Sequence, residues 1–178
     1  MALRSLKPQQ RARDGFVFGG LAMSKQEDTA GDLEKASAEI VRFVEGCPDS
    51  VWHSVSRQDG RAVAAIAYHC AAGNDVALGW VCQMLMTRPI RETPESHDAA
   101  NDAEGLHNSN RTKRDVADAL QRTTERTAHF LRSLTDEELE RKAMHGLAGR
   151  EVSVGQFIGN FSRHMRDHLE SLNATQKA

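Results

Sequence analysis

Two histidines near the end of the chain, His164 and His168, have a spacing at which imidazoles can share one metal ion. At 3.6 residues per turn, four residues place both side chains on one face of a helix, one turn apart. Such a pair is a common part of metal sites. It is not the HExxH motif of zinc proteases, because Met165 stands where that motif has a glutamate.

The face on which this pair lies is apolar. Steps of three and four residues connect Phe157, Phe161, His164, His168 and Leu172. The two histidines therefore continue an apolar stripe and are predicted to point toward a protein core. A buried imidazole needs a partner for each ring nitrogen, and a metal ion is one such partner. Hydrogen bonding within the core is the alternative.

A third histidine, His69, lies within the most apolar segment of the chain. If it also points inward, three neutral nitrogen donors would converge, as in Zn²⁺ or Ni²⁺ sites that keep positions open. A cation held this way keeps its full charge. It can lower the pKa of bound water from about 15.7 toward about 7, or bind a thiol as its thiolate. By itself, His69 is more typical of a hydrogen-bonded core histidine.

Proline positions and apolar periodicity indicate the elements that carry these residues. The four prolines are Pro8, Pro48, Pro89 and Pro94, and long stretches between and after them contain none. The periodicity predicts helices at about 32–45, 61–86, 96–133 with an interruption near 107–112, and 153–173. Residues 144–152, which contain two glycines, are predicted to form a loop. The prediction is an all-α, up-and-down four-helix bundle with essentially no sheet.

Composition and charge narrow the classes of function. The 178 residues suggest one domain, and 23 Lys and Arg against 25 Asp and Glu give a net charge of -2. This balance argues against a nucleic-acid partner and against a basic membrane anchor. No apolar run approaches the roughly 20 residues of a membrane span. Three cysteines without CxxC spacing, Cys47, Cys70 and Cys82, suggest reduced side chains in a cytoplasmic protein.

The N-terminal segment differs in composition from the rest of the chain. Residues 1–28 are rich in basic residues at first, and their short apolar stretch is interrupted by glycines. No small-x-small cleavage site follows, so the segment is a poor match to a signal peptide. We expect residues 1–28 to be a mobile N-terminal extension and residues 29–178 to form the bundle domain.

Several sequence segments resemble those of the DinB/YfiT-like superfamily over roughly residues 32–172. They are Trp52, the run DGRAVAAIAYH at 59–69, Asn101 and Ala103, LTDEEL at 134–139, and VSVGQFI at 152–158 leading to His164 and His168. The resemblance implies a divalent metal on His69, His164 and His168, in an up-and-down bundle that is often a homodimer. Characterised members include thiol-dependent S-transferases and isomerases that use bacillithiol or mycothiol, and some hydrolase-like proteins.

A polar stripe offers further candidates. Its members, spaced by four, three and four residues, are His97, Asn101, Glu104 and Asn108. The stripe could line the mouth of a pocket, with Glu104 as a general base. A solvated helix face is the more ordinary interpretation. Asn160, one turn before His164, could orient a ligand or lie at the edge of the bundle.

These observations favour a metal-dependent enzyme that acts on a small molecule, transferring a low-molecular-weight thiol to a small electrophile. A metal-dependent hydrolase is the close alternative, because both reactions need the same cation. A non-catalytic metal-binding or stress-associated protein is the third hypothesis. In that case a fourth protein ligand, such as Glu104 or Asn101, would close the coordination.

Overall fold

The computed structural model describes residues 24–177, and these residues are mainly helical. The elements are α1 (Lys25–Gly46), α2 (Asp49–Trp52), α3 (Val63–Leu85), α4 (Pro94–Asn108), α5 (Lys113–Arg132), α6 (Asp136–Glu140), β1 (Lys142–His145), β2 (Arg150–Ser153) and α7 (Val154–Gln176). Helices α1, α3, α5 and α7 enclose one core, in which α1 and α3 each pack against both α5 and α7. The predicted all-α four-helix bundle is confirmed.

Capping residues set most of the helix boundaries. Thr112 and Ser153 are the N-caps of α5 and α7, since each side chain accepts a hydrogen bond from the backbone N–H three residues later. Helix α1 begins earlier than the predicted Asp32, because the Ser24 side chain accepts a hydrogen bond from the Glu27 backbone N–H. Residues 25–28, assigned by the sequence to the extension, are therefore helical. Residues 1–23 of that predicted extension lie outside the described residues.

Because helix α4 lies between α3 and α5 in the chain, the four bundle helices do not simply alternate in direction. Helix α4 runs back along α3, with His97 near Trp80 and Glu104 near His69, so α5 starts at the same end as α3. At the other end of α5, Arg132 pairs with Glu27 near the start of α1, so α5 runs opposite to α1. The second and third bundle helices thus run parallel, and α1 and α7 run opposite to them.

The predicted loop at 144–152 is wrong, because this segment contains most of a small two-stranded sheet. Strands β1 and β2 form an antiparallel hairpin in which Ala143 pairs with Val152, and both side chains are buried. A short 3₁₀ turn joins the strands, and Gly149 closes it with a φ of 61°, a conformation that favours glycine. The hairpin brings His145 over α3. Among the described residues, no helix is long and apolar enough to cross a membrane.

Candidate metal centre

The three predicted histidines come together between α3 and α7. One ring nitrogen from each of His69, His164 and His168 lies within 4.8 Å of the others. The Nε2 atoms of His164 and His168 are 3.0 Å apart, and the ring of His69 stands edge-on to both. His69 and His168 are 8% and 9% exposed, whereas His164 is more open to solvent. The arrangement is a three-nitrogen cluster at the inner edge of the bundle.

Two of these imidazoles have a carboxylate behind them. The Nδ1–H of His69 donates to Oε2 of Glu104 at 2.9 Å. The Nδ1 of His168 lies 3.6 Å from Oδ2 of Asp59, in the loop before α3. With Nδ1 engaged, each ring has Nε2 available as a lone-pair donor toward the cluster. Carboxylates in this position fix the tautomer and orientation of metal-binding histidines.

Asp59 is itself held by Arg61. The guanidinium donates to both carboxylate oxygens, with Nη2 3.0 Å from Oδ2. Burial alone would raise the pKa of Asp59, but its interactions with His168 and Arg61 outweigh the effect of burial and hold that pKa well below its usual value. The Arg61 side chain crosses α4 at Gly105, where an added Cβ would lie 2.8 Å from Cδ of Arg61. A glycine is therefore needed at this crossing.

The His164 ring is held in its neutral form. Burial, followed by the neighbouring His168 and His69 imidazoles, lowers its pKa to about 4. Neutral imidazole is the form in which histidine ligates a metal ion. At neutral pH His164 therefore offers a lone pair with little competition from protons.

A cavity of about 500 Å³ opens beside the cluster. Its apolar wall is formed mainly by Trp80, Phe157 and Phe161. Three members of the polar stripe, His97, Asn101 and Glu104, line it too, so that stripe is a cavity wall and not a solvated face. The fourth member, Asn108, is buried and donates to the backbone carbonyl of Glu104. Asn160 also lines this cavity, one turn of α7 before His164.

The sequence features that carry this site match a known family. The pattern that defines the DinB superfamily matches residues 32–172, which include all three histidines. The chain belongs to the DinB superfamily. No curated protein sequence matches it.

Solved structures share the fold of this DinB protein. YfiT from Bacillus subtilis, described as a probable metal-dependent hydrolase with an unusual four-helix bundle topology, matches with a TM-score of 0.73 and 18% identity. The match covers 95% of this chain and 93% of YfiT. A mycothiol-dependent maleylpyruvate isomerase matches with a TM-score of 0.67 and 13% identity. This match covers 83% of this chain and 60% of the isomerase.

Two residues of the DinB protein's site were not identified from the sequence. Asp59 enters the prediction only as one residue of the run at 59–69, although an acidic residue just before the histidine-bearing helix is the available signal. His145 fell in the predicted loop, and only the hairpin brings it to the cavity. Cys70, which directly follows His69, packs in the hydrophobic core. It is buried, and burial raises the pKa of its thiol to about 12, so it is a poor nucleophile.

Proposed function

We propose that the chain is a metal-dependent enzyme that transfers a low-molecular-weight thiol to a small electrophile. The observation that carries the proposal is the convergence of His69, His164 and His168, with carboxylates behind two of them, beside a cavity of about 500 Å³. These three residues would hold one divalent cation. An all-imidazole donor set of this kind suits Zn²⁺ or Ni²⁺.

The donor atoms fit a cation. The Nε2 atoms of His164 and His168 lie 3.0 Å apart. Without a proton between them, their two lone pairs face each other. With one proton, one Nε2–H donates to the lone pair of the other. A shared cation satisfies both lone pairs, and the third from His69, without a proton. When bound, a divalent cation with three neutral ligands supplies Lewis acidity that stabilises an incoming anion such as a thiolate or hydroxide.

The remaining steps belong to the chain's own residues. Oε2 of Glu104 is occupied by His69, but Oε1 is buried and has no partner among the described residues. Oε1 is the acceptor that we propose for the proton of the thiol. The sulfur then forms a bond to the electrophilic carbon, and the leaving group departs with the electron pair of its bond and takes up that proton. Trp80, Phe157 and Phe161 hold the organic electrophile away from water.

Hydrolysis by the same site is the second candidate. The description of YfiT as a probable metal-dependent hydrolase favours it, since that protein shares the fold over nearly its whole length. Thiol transfer is favoured by the thiol-dependent isomerase. A purely structural metal site is disfavoured because a closed site has no use for a cavity that reaches its ligands.

The test is a reaction panel with the metal-loaded protein. Several thiols are combined with model electrophiles, and esters and amides are assayed in parallel. His164→Ala is the inactive control, and His53→Ala, on the exposed surface away from the cluster, is the matched control. We expect metal-dependent thiol consumption by the parent protein and by His53→Ala only. Ester or amide cleavage alone would assign the hydrolase, and rates equal to those of His164→Ala throughout would reject both enzymes.

A further inference from the structure

A second concave surface adjoins the cavity. It is a shallow groove of about 570 Å³ along the first half of α7 and the start of β2, lined by Arg150, Gln156, Gly159, Asn160, Arg163 and Arg166. Asn160 lines both the groove and the cavity that contains the three histidines. A ligand lying in the groove therefore meets the cavity at Asn160.

The groove presents hydrogen-bond donors almost exclusively. The Gln156 side-chain oxygen accepts from the Ser153 backbone N–H, and the Asn160 side-chain oxygen accepts from the Arg163 guanidinium. Both amide oxygens are therefore used within the protein, which leaves the two amide NH₂ groups for a ligand.

The guanidinium groups add positive charge to these donors. Within residues 24–177, neither Arg150 nor Arg163 pairs with a carboxylate, and no carboxylate lines the groove. Arg166 makes two long contacts to Asp32, to its backbone carbonyl and to its carboxylate, both at 3.4 Å. A surface with three guanidinium groups, two free NH₂ groups and no acid is complementary to a ligand with anionic oxygen atoms.

We propose that this groove binds the carboxylate end of an anionic low-molecular-weight thiol whose sulfur reaches the three-histidine cluster. The proposal rests on the proposed function and names its thiol substrate class. Asn160 precedes His164 by four residues, a rise of roughly 6 Å along the helix. One small molecule with several bonds between carboxylate and sulfur spans that distance.

The two substrates then occupy chemically different places. The charged, hydrophilic thiol lies along the arginines, while the electrophile lies against Trp80, Phe157 and Phe161. The aromatic wall has no cation to hold an anionic thiol, and no aliphatic or aromatic residue lines the groove to hold an uncharged organic compound. This separation assigns the anion to the thiol.

The binding experiment uses S-methylglutathione, which carries the carboxylates of a thiol but cannot react. Its dissociation constant is measured calorimetrically for the parent, for Arg163→Gln and Arg150→Gln, and for Arg122→Gln, an exposed arginine of α5. Loss of a charge-assisted hydrogen bond predicts about tenfold weaker binding for each groove variant. We expect no change for Arg122→Gln. Equal binding by all four proteins would overturn the proposal.

The activity experiment compares glutathione with its diethyl ester, in which the carboxylates are masked. Arg163→Gln is expected to raise KM for glutathione about tenfold and to leave KM for the ester unchanged. An equal effect on both thiols, or an effect that follows the charge of the electrophile, would overturn the proposal. Arginine-dependent binding of S-methylglutathione without turnover of any thiol would support the groove and reject the proposed transfer, so the two failures are distinguishable.

Discussion

The cavity contains two kinds of buried histidine. At one end, His69 and His168 each have a carboxylate behind the ring, and both converge with His164. At the other end, His145 is 5% exposed and packs edge-on against Trp80, with ring centroids 5.3 Å apart. Neither ring nitrogen of His145 has a hydrogen-bond partner among the described residues. Burial is common to both ends, whereas convergence and carboxylate support distinguish a ligand set from a packed side chain.

Protonation state does not distinguish His145 from His164 at the opposite end of the cavity. Burial lowers the pKa of His145, with a further contribution from His97, and burial also lowers the pKa of His164. Both imidazoles are therefore neutral at pH 7. The difference lies in geometry, because His164 converges with two other imidazoles, whereas the nitrogens of His145 have no hydrogen-bond partner among the described residues.

Removing a cluster histidine should give the largest effect that separates the two ends of the cavity. His69→Ala, His164→Ala and His168→Ala are each expected to abolish stoichiometric metal binding, since two imidazoles make a far weaker site than three. His145→Ala and His53→Ala should keep one metal per chain. Metal content is measured by elemental analysis of protein purified without a nickel column. Equal loss in all five variants would contradict the assignment.

The carboxylates behind the rings give the next largest effect. Asp59→Asn and Glu104→Gln keep the size of each side chain but remove its charge, so the rings of His168 and His69 lose their anionic partners. Such changes weaken metal binding by about 10- to 100-fold. Affinity is measured by competition with a chelator. Asp118→Asn, at an exposed position of α5, is the matched control and should match the parent. Unchanged affinity in Asp59→Asn would show that the 3.6 Å contact does not support the ligand.

Most of the cluster was predictable from the sequence because two of its histidines belong to a local helical pattern. The step of four between His164 and His168, and the apolar stripe that they continue, follow from helix geometry alone. That His69 faces them also required the family resemblance, since periodicity within α3 leaves a helix that is apolar on most sides. Asp59 and His145 were missed because neither belongs to a helix. Their positions depend on a loop and a hairpin, which fold against elements distant in sequence.

The fold shows the same division. The caps at Thr112 and Ser153 and the four main helices follow from local sequence. The parallel course of α3 and α5 depends on α4 crossing the length of the bundle, and the periodicity of a helix does not say in which direction it runs. The hairpin of β1 and β2 was missed because two four-residue strands carry too short an alternation to be distinguished from a loop.

The stability of the metal-free protein should depend on pH through His164. Its pKa falls from the usual 6.5 to about 4 on folding, so between these values the unfolded chain binds more protons than the folded one. Stability is therefore fully present above pH 6.5 and decreases as the pH falls toward 4. Urea midpoints at pH 7 and pH 5 measure the decrease. His164→Gln should show a smaller decrease, whereas His53→Gln should follow the parent. A decrease of the same size in His164→Gln would assign the dependence to other groups.

The smallest expected effect concerns the other end of the cavity. His145→Phe removes two buried nitrogens that have no partner among the described residues, and a buried polar group without a partner costs about 1–3 kcal/mol. Phenylalanine is favourable in a strand such as β1 and can pack against Trp80 and the neighbouring Phe157. We expect the free energy of unfolding to stay equal or rise by about 1 kcal/mol, with metal affinity unchanged. His69→Phe is the informative control: it leaves Glu104 without its partner and should destabilise the metal-free protein. Loss of stability in His145→Phe comparable to that in His69→Phe would mean that the His145 nitrogens do have a partner in the folded protein, and the two ends of the cavity would then be more alike than the structure shows.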